Sequence, residues 1–189
     1  MKKSEKKLFF SLTYEFLEVY MRIQMLRSPA TIESYRDALT VFRRYLRDEL
    51  HMRVDSFGFA DCTRDLVMGF MEHLSAVGNK PGTRNQRLAA IKSYLWFAAE
   101  KDMALQSVAI SVGRVKSCRN PKKEKPILDE QAITLLLDAP PNTRIGMRDR
   151  TILMLLYDSA ARLDEILSLR KADLFLSTGS PCILSLIHI

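Results

Sequence analysis

The sequence predicts a mainly all-α protein: a four-helix bundle, a basic linker, then the first helices and one strand of a truncated α+β domain. Three observations carry this reading. Apolar residues recur at alternating steps of three and four through the first hundred positions, as on one face of a helix. The stretch from Leu105 to Lys125 loses that period and gathers positive charge. Strand-like alternation is confined to the last residues, "CILSLIHI". A chain of 189 residues has room for one domain or two small ones, and its 47% hydrophobic content supplies a core.

The first helix is expected to carry Phe9, Leu12, Phe16, Val19, Ile23 and Leu26 on one face. "SPAT" restarts the chain, with Ser28 as cap and Pro29 in the first turn. Ile32, Tyr35, Leu39, Phe42 and Leu46 repeat the spacing. Asp61 or Thr63 caps a third helix carrying Leu66, Phe70 and Leu74, which "VGNKPG" ends. Thr83 caps a fourth, with Leu88, Ile91, Leu95 and Ala98 on its stripe. Four such helices share one core. Beyond the linker, Asp129 caps a helix that stops at Pro140–Pro141. Helices near Met147–Tyr157 and Leu163–Lys171 follow, joined by "DSAAR"; Ile152, Leu155 and Leu156 bury the first, and Leu163, Ile166, Leu167 and Leu169 the second. The closing strand has no partner in the sequence, so the chain is expected to stop partway through a domain.

Several function classes drop out. No apolar run approaches the roughly 20 residues that span a bilayer, so no membrane role is expected. The basic N-terminus lacks a signal-peptide core, because Tyr14, Glu15 and Glu18 interrupt it. Cys62, Cys118 and Cys182 are widely spaced and odd in number, which suits a reducing cytoplasm rather than a disulfide framework. His51, His73 and His188 have no ligand-spaced partners. With no glycine-rich phosphate loop and no Ser–His–Asp ordering, neither metal nor cofactor is expected. The aromatics Tyr14, Phe16, Tyr35, Phe42, Tyr94 and Trp96 fall at helical spacing and are assigned to the core rather than to base stacking.

Charge points to a partner. The net charge is +7 and the pI about 9.4, and Lys or Arg contacts to phosphates release counterions. Between Leu105 and Pro126 six bases (Arg114, Lys116, Arg119, Lys122, Lys123, Lys125) face one acid, Glu124. Such a segment can track a DNA backbone; the alternative is a solvated charge run. In the fourth helix, Arg84 and Arg87 occupy the first two turns, where the helix dipole disfavours cations unless phosphates compensate. Asn85 and Gln86 beside them could read base edges, and Lys92 extends the same set. The alternative is a polar helix start with solvated arginines. In "YDSAARLDEILSLRKADL", Arg162 leaves the corner between two helices, with Asp164 and Glu165 in the next first turn. A guanidinium fixed there can grip a phosphate bidentately. A corner salt bridge to Glu165 or Asp158 is the alternative.

At these residues the sequence resembles a family. "RDRTILMLLYDSAARLDEILSLRKADL" is similar to the segment of tyrosine recombinases (the phage integrase family) that carries the first catalytic arginine. "SPATIESYRDALTVFRRYL" and "GTRNQRLAAIKSYLWFA" resemble the second and fourth helices of that family's core-binding domain, a SAM-like helical module that clasps DNA. The resemblance implies a core-binding domain over 7–104, an interdomain linker over 105–125 and an incomplete catalytic domain over 126–189. It implies that Arg162 is catalytic, that Glu165 supports the site and that Asp173 closes the motif. The implied chemistry is metal-free transesterification: a tyrosine attacks the phosphodiester, arginines stabilise the phosphoryl oxygens, and a covalent protein–DNA intermediate forms. Two departures stand out. The family's Thr-Gly-Leu before the arginine is Ser159-Ala160-Ala161, and alanine would cost about 1 kcal/mol or more if that position is left-handed. The family's hairpin lysine, His-x-x-Arg, further His or Trp and nucleophilic tyrosine all lie downstream of the matched segment, so this chain is expected to bind double-stranded DNA without cleaving it. Recombinase protomers would assemble on DNA, and a monomer is expected off it. Two other readings stay open: a non-catalytic DNA-binding remnant or accessory factor, and a helical protein–protein module.

Overall fold

The computed structural model describes residues 7–121, 126–175 and 182–183. The chain divides into two units, Met1–Lys122 and Lys123–Ile189.

The first unit opens with a 3-10 turn, Phe9–Leu12, that runs into a π-helix, Glu15–Gln24. Its wider turn is visible in the bond from Met25 N–H to Tyr20 O at 2.8 Å, five residues back. That width corrects the expected stripe. Phe9, Phe16, Leu17 and Met21 are buried, whereas Ile23 and Leu26 are 65% and 82% exposed. A face written at α-helical spacing drifts off the core when each turn holds an extra fraction of a residue. Helix α1, Pro29–Arg44, is capped as expected by the Ser28 hydroxyl, which accepts from Thr31 N–H at 3.2 Å. It runs on into a second π segment, Tyr45–Glu49. Both π segments end on a left-handed residue, Leu26 (φ 46°) and His51 (φ 50°). The bonds Arg27 N–H to Met21 O and Met52 N–H to Leu46 O then close the ends.

Helix α2, Arg64–Ala76, is capped by Thr63, which accepts from Leu66 N–H at 3.2 Å. Asp61 instead accepts from Gly58 N–H at 2.8 Å. Gly78 (φ 81°) ends the helix, with Asn79 N–H bonded to Leu74 O at 2.9 Å. Helix α3, Pro81–Lys101, starts two residues before the expected Thr83 cap, because Pro81 fits the first helical position and needs no N–H partner. It is the central helix: Leu88, Ile91, Tyr94, Leu95 and Ala98 are all buried.

Phe9 sits at the middle of the core, its ring 5.2–5.6 Å from those of Phe42, Phe57, Phe59 and Tyr94. The Tyr94 hydroxyl donates to the Phe9 carbonyl, and burial pushes its pKa up to about 12. Two of the aromatics assigned to the core lie outside it: Tyr14 is 75% exposed and Trp96 43%.

The expected linker begins with structure. A 3-10 turn, Met103–Leu105, leads into helix α4, Gln106–Gly113, which buries Ala109 and Val112 and is followed by buried Val115. Two turns of small apolar residues are too short to display a period, so the sequence alone reads as linker.

The second unit has helices α5 (Glu130–Asp138), α6 (Arg144–Ser159) and α7 (Leu163–Ser168). Asp129 caps α5 as expected, accepting from Ala132 N–H at 2.7 Å. Arg150 ties α6 to the end of α5 through the carbonyls of Leu137 (3.1 Å) and Pro140 (3.2 Å). Gly146 is buried against Pro141. The expected burial of the leucine stripes is only partial. Ile152, Leu155, Leu156, Ile166 and Leu169 are half-buried, while Leu163 and Leu167 are exposed. Among residues 126–175 of this unit only Gly146 and Glu165 are buried, since short helices and one narrow ladder offer α6 little second layer. The single strand expected at the end is corrected to a pair: β1, Leu174–Phe175, and β2, Cys182–Ile183, are antiparallel with Leu174 opposite Ile183. Two residues carry no alternation, which hid β1. Positions 184–189 of the expected strand lie outside the described residues.

Candidate nucleic-acid interface and the Arg162 corner

The early start of α3 changes what its polar residues can do. Arg84 is the fourth residue of the helix and Arg87 the seventh, so Arg87 is beyond the first turn, where the dipole acts. Arg84 folds back onto the last turn of α2, and Arg87 onto the connection that follows it. Arg84 Nη1 donates to Ser75 Oγ at 3.0 Å, and Arg87 Nη1 to Asn79 Oδ1 at 2.7 Å. The Arg84 Nε is buried and, among the described residues, has no hydrogen-bond partner.

The two amides expected at base edges are engaged within the protein. Asn85 Nδ2 donates to Cys118 O at 2.8 Å, and its Oδ1 accepts from Cys118 N–H at 2.7 Å. Gln86 Nε2 donates to Ser34 O at 3.1 Å and to Ser34 Oγ at 2.5 Å, joining α3 to α1. Lys92 Nζ donates to the carbonyls of Gly113 (2.9 Å) and Val115 (2.6 Å), where the last carbonyls of α4 lack helical partners. Three of the expected DNA contacts on α3 are thus fasteners, and two of them hold the segment after α4.

That segment completes a groove of about 320 Å³ between α2, α3 and the chain leaving α4, with Arg64, Arg84, Arg114, Lys116, Met68 and Cys118 in its walls. Glu72 is the one carboxylate lining it. Arg114, Lys116 and Arg119 are exposed, as is Arg64; Arg84 and Arg87 are half-buried. Several bases elsewhere in this unit pair with acids: Arg36 with Glu18 and Glu33, Arg47 with Asp48, Arg53 with Asp55, Lys101 with Glu15. Among the described residues, no carboxylate lies within ion-pair distance of Arg64, Arg84, Arg87, Arg114, Lys116 or Arg119. Four cations converge there against one acid, which makes a site of positive potential suited to an anion. Lys122 and Lys123 lie outside the described residues. Arg64 was missed in the sequence, although its place directly after the Thr63 cap, at the start of α2, mirrors the pattern read for α3.

In the second unit, Arg162 precedes α7, and its side chain is 79% exposed. Glu165, with a side chain 3% exposed, accepts from Arg162 N–H at 3.0 Å and from its guanidinium Nη1 at 2.9 Å. The corner salt bridge weighed as the alternative therefore forms, with Glu165 and not Asp158 as partner. One guanidinium edge is held while the rest of the group faces solvent. The turn before it is strained: Ala160 has φ 52° and ψ 20°, the left-handed region, and Ala161 N–H reaches back to Ser159 Oγ at 3.3 Å. Asp173 Oδ2 accepts from Arg170 N–H at 2.7 Å and so closes the turn before β1.

Among the described residues no cluster of three His, Cys, Asp or Glu could hold a metal ion, and no helix is long and apolar enough to cross a membrane.

A family model described as phage integrase, N-terminal SAM-like domain, matches residues 15–102. A Sinorhizobium fredii protein named as an integrase/recombinase is 33% identical over 174 residues, which cover 89% of this chain and 62% of that protein. Tyrosine recombinase XerD of Oceanobacillus iheyensis is 26% identical over 163 residues, covering 85% of this chain and 52% of its own length. Tyrosine recombinase XerC of Myxococcus xanthus is 32% identical over 148 residues, covering 78% and 46%. Each match is longer than the first unit, so the similarity reaches into the second. The chain spans about half to three-fifths of the length of these relatives.

Proposed function

Residues 15–102 belong to the phage integrase N-terminal SAM-like domains and the chain is a homologue of tyrosine recombinases, and on that premise we propose that its first unit binds double-stranded DNA as part of a site-specific recombinase. The observation that carries this is the groove where Arg64, Arg84, Arg114 and Lys116 converge without carboxylate partners. Arginines and lysines left unpaired around a concave surface fit phosphodiesters, which supply the missing countercharge and release bound cations. Arg87, three residues after Arg84 on α3, and Arg119, next to Cys118, add to the set, and Lys122 and Lys123 continue the same run of bases. Asn85, Gln86 and Lys92, with their polar atoms bonded inside the protein, support this surface rather than read bases.

In the recombination reaction Arg162 acts as one phosphate clamp, with Glu165 fixing its orientation. The guanidinium donors not bonded to Glu165 are the ones that meet phosphoryl oxygens. No tyrosine of this chain is assigned as nucleophile: Tyr94 is buried with its hydroxyl engaged, and Tyr157 lies on α6. A second reading is a DNA binder without catalysis, in which the Arg162–Glu165 pair serves to hold the corner before α7.

Fluorescence anisotropy with a short labelled duplex, titrated across potassium chloride, tests the reading. Binding is expected to weaken steeply with salt, and Arg114→Ala or Lys116→Ala is expected to lower the slope of log affinity against log salt by about one. Salt-independent binding, or slopes unchanged in both variants, would remove the groove from the interface.

A further inference from the structure

The segment leaving α4 has a regular construction. Gly113 and Val115 have their carbonyls held by Lys92, the Val115 side chain is buried, and Cys118 is gripped at both its N–H and its C=O by Asn85. Between and beyond these anchors stand the exposed bases Arg114, Lys116 and Arg119. None of the three anchors adds a free charge to the surface, yet together they decide where the bases stand. A loose segment carrying the same bases would have to be ordered each time it met an anion, at the expense of affinity. We infer that Asn85 and Lys92 are positioning residues for nucleic-acid binding: from α3 they hold residues 113–118 against the helix, so that Arg114 and Lys116 share one groove with Arg84 and Arg64.

This inference rests on the DNA-binding reading and goes beyond it, because it assigns to Asn85 an effect on affinity that passes wholly through the bases of the segment it holds. The amide makes two hydrogen bonds to a single residue, 33 positions away in sequence, in the geometry of a short ladder. Lys92, two turns further along α3, grips the same segment from its other end. Neither residue contacts the groove itself, whose walls include Arg114, Lys116 and Cys118 but not Asn85 or Lys92.

A double-mutant cycle on the full chain tests it, with affinity for a labelled duplex measured at one fixed salt concentration. Asn85→Ala leaves every charge in place and is expected to weaken binding about three- to tenfold. In a background of Arg114→Ala with Lys116→Ala and Arg119→Ala the same change is expected to have no effect, because no base of the segment is left for Asn85 to position. An effect of equal size in both backgrounds would mean that Asn85 touches the nucleic acid directly, and it would overturn the inference. Full affinity in Asn85→Ala would overturn it as well. A wild-type chain that fails to bind duplex at all overturns the DNA-binding reading and this inference together. Lys92→Met, acting on the same segment from the Gly113 end, carries the same cycle should Asn85→Ala not fold, and a thermal melt of each variant decides that point.

Discussion

Replacing Ala160 by glycine should stabilise the turn that presents Arg162. Ala160 joins α6 to α7 with φ 52° and ψ 20°. For an L-residue with a Cβ that conformation costs roughly 1–2 kcal/mol. Glycine removes the clash but brings a freer unfolded chain, which offsets roughly 0.4–1 kcal/mol of the gain. The net is about 0.5–1 kcal/mol, equivalent to about a two- to fivefold shift in the local opening equilibrium. Hydrogen exchange read by mass spectrometry on peptides covering 155–170 reports that equilibrium directly. Protection of the α7 amides is expected to rise by that factor in Ala160→Gly. Ala161→Gly is the control: Ala161 has no positive φ, so it gains nothing sterically and its protection should fall. Equal protection in wild type and Ala160→Gly would show that the turn is not held in the left-handed region, and the strain argument would fail with it. In the same variant the Arg162–Glu165 pair is expected to persist, since Glu165 binds the backbone N–H as well as the guanidinium.

Three further outcomes are expected. A Cβ at Gly146 would stand 1.9 Å from the Pro141 carbonyl oxygen, so Gly146→Ala must displace the start of α6. A loss of roughly 1–3 kcal/mol is expected, read as faster exchange across the α6 amides; unchanged exchange would contradict the close approach. Tyr94→Phe keeps the ring but takes from the buried Phe9 carbonyl its hydroxyl donor, costing about 1–3 kcal/mol, and a drop of several degrees in the melting temperature should follow. An unchanged melting temperature would show that this bond contributes nothing net. Asp102 has its carboxyl held below the usual carboxylate range, first by the hydrogen bond from Lys7 and then by the Ala104 N–H. A depressed folded value means stability that is present above the unfolded carboxylate pKa, near 4, and lost as pH falls through the lower folded value. Melting temperatures of wild type and Asp102→Asn should therefore differ near neutrality and converge in strong acid. A gap that persists at the acid end would refute the assignment.

Where local chemistry decides the outcome, the residues could be read directly. Ser28, Thr63 and Asp129 each accept the backbone N–H three residues on, and Pro29 opens its helix as its fixed φ requires. The apolar stripe of α3 is equally plain. Tertiary decisions were not legible. The π-helical stretches depend on the bonds that Tyr20 and Tyr45 carbonyls make five residues on, and no residue type announces them. Asn85 and Gln86 looked like base readers because an amide suits a base edge and a peptide group equally well; the choice of Cys118 and Ser34 is made by the fold. At the Arg162 corner the sequence offered a phosphate clamp or a salt bridge to Glu165. The structure forms the second without spending the outer donors that the first needs. The replacement of glycine by Ala160, noted from the family resemblance, coincides with a backbone that is left-handed there.

The unequal burial of the two units bears on how the molecule responds to heat. Residues of the first unit fill one aromatic-rich interior, whereas residues 126–175 of the second enclose only Gly146 and Glu165. Unfolding enthalpy and heat-capacity change scale with the apolar surface newly exposed, and typical domains absorb about 0.7 kcal/mol per residue near 60 °C. A 189-residue chain fully engaged in cooperative structure would then take up on the order of 130 kcal/mol. The first unit alone, roughly 120 residues, accounts for about 80 kcal/mol. A scanning calorimeter should therefore record one sharp endotherm of the smaller size, while helices α5 to α7 melt broadly beneath it with little heat of their own.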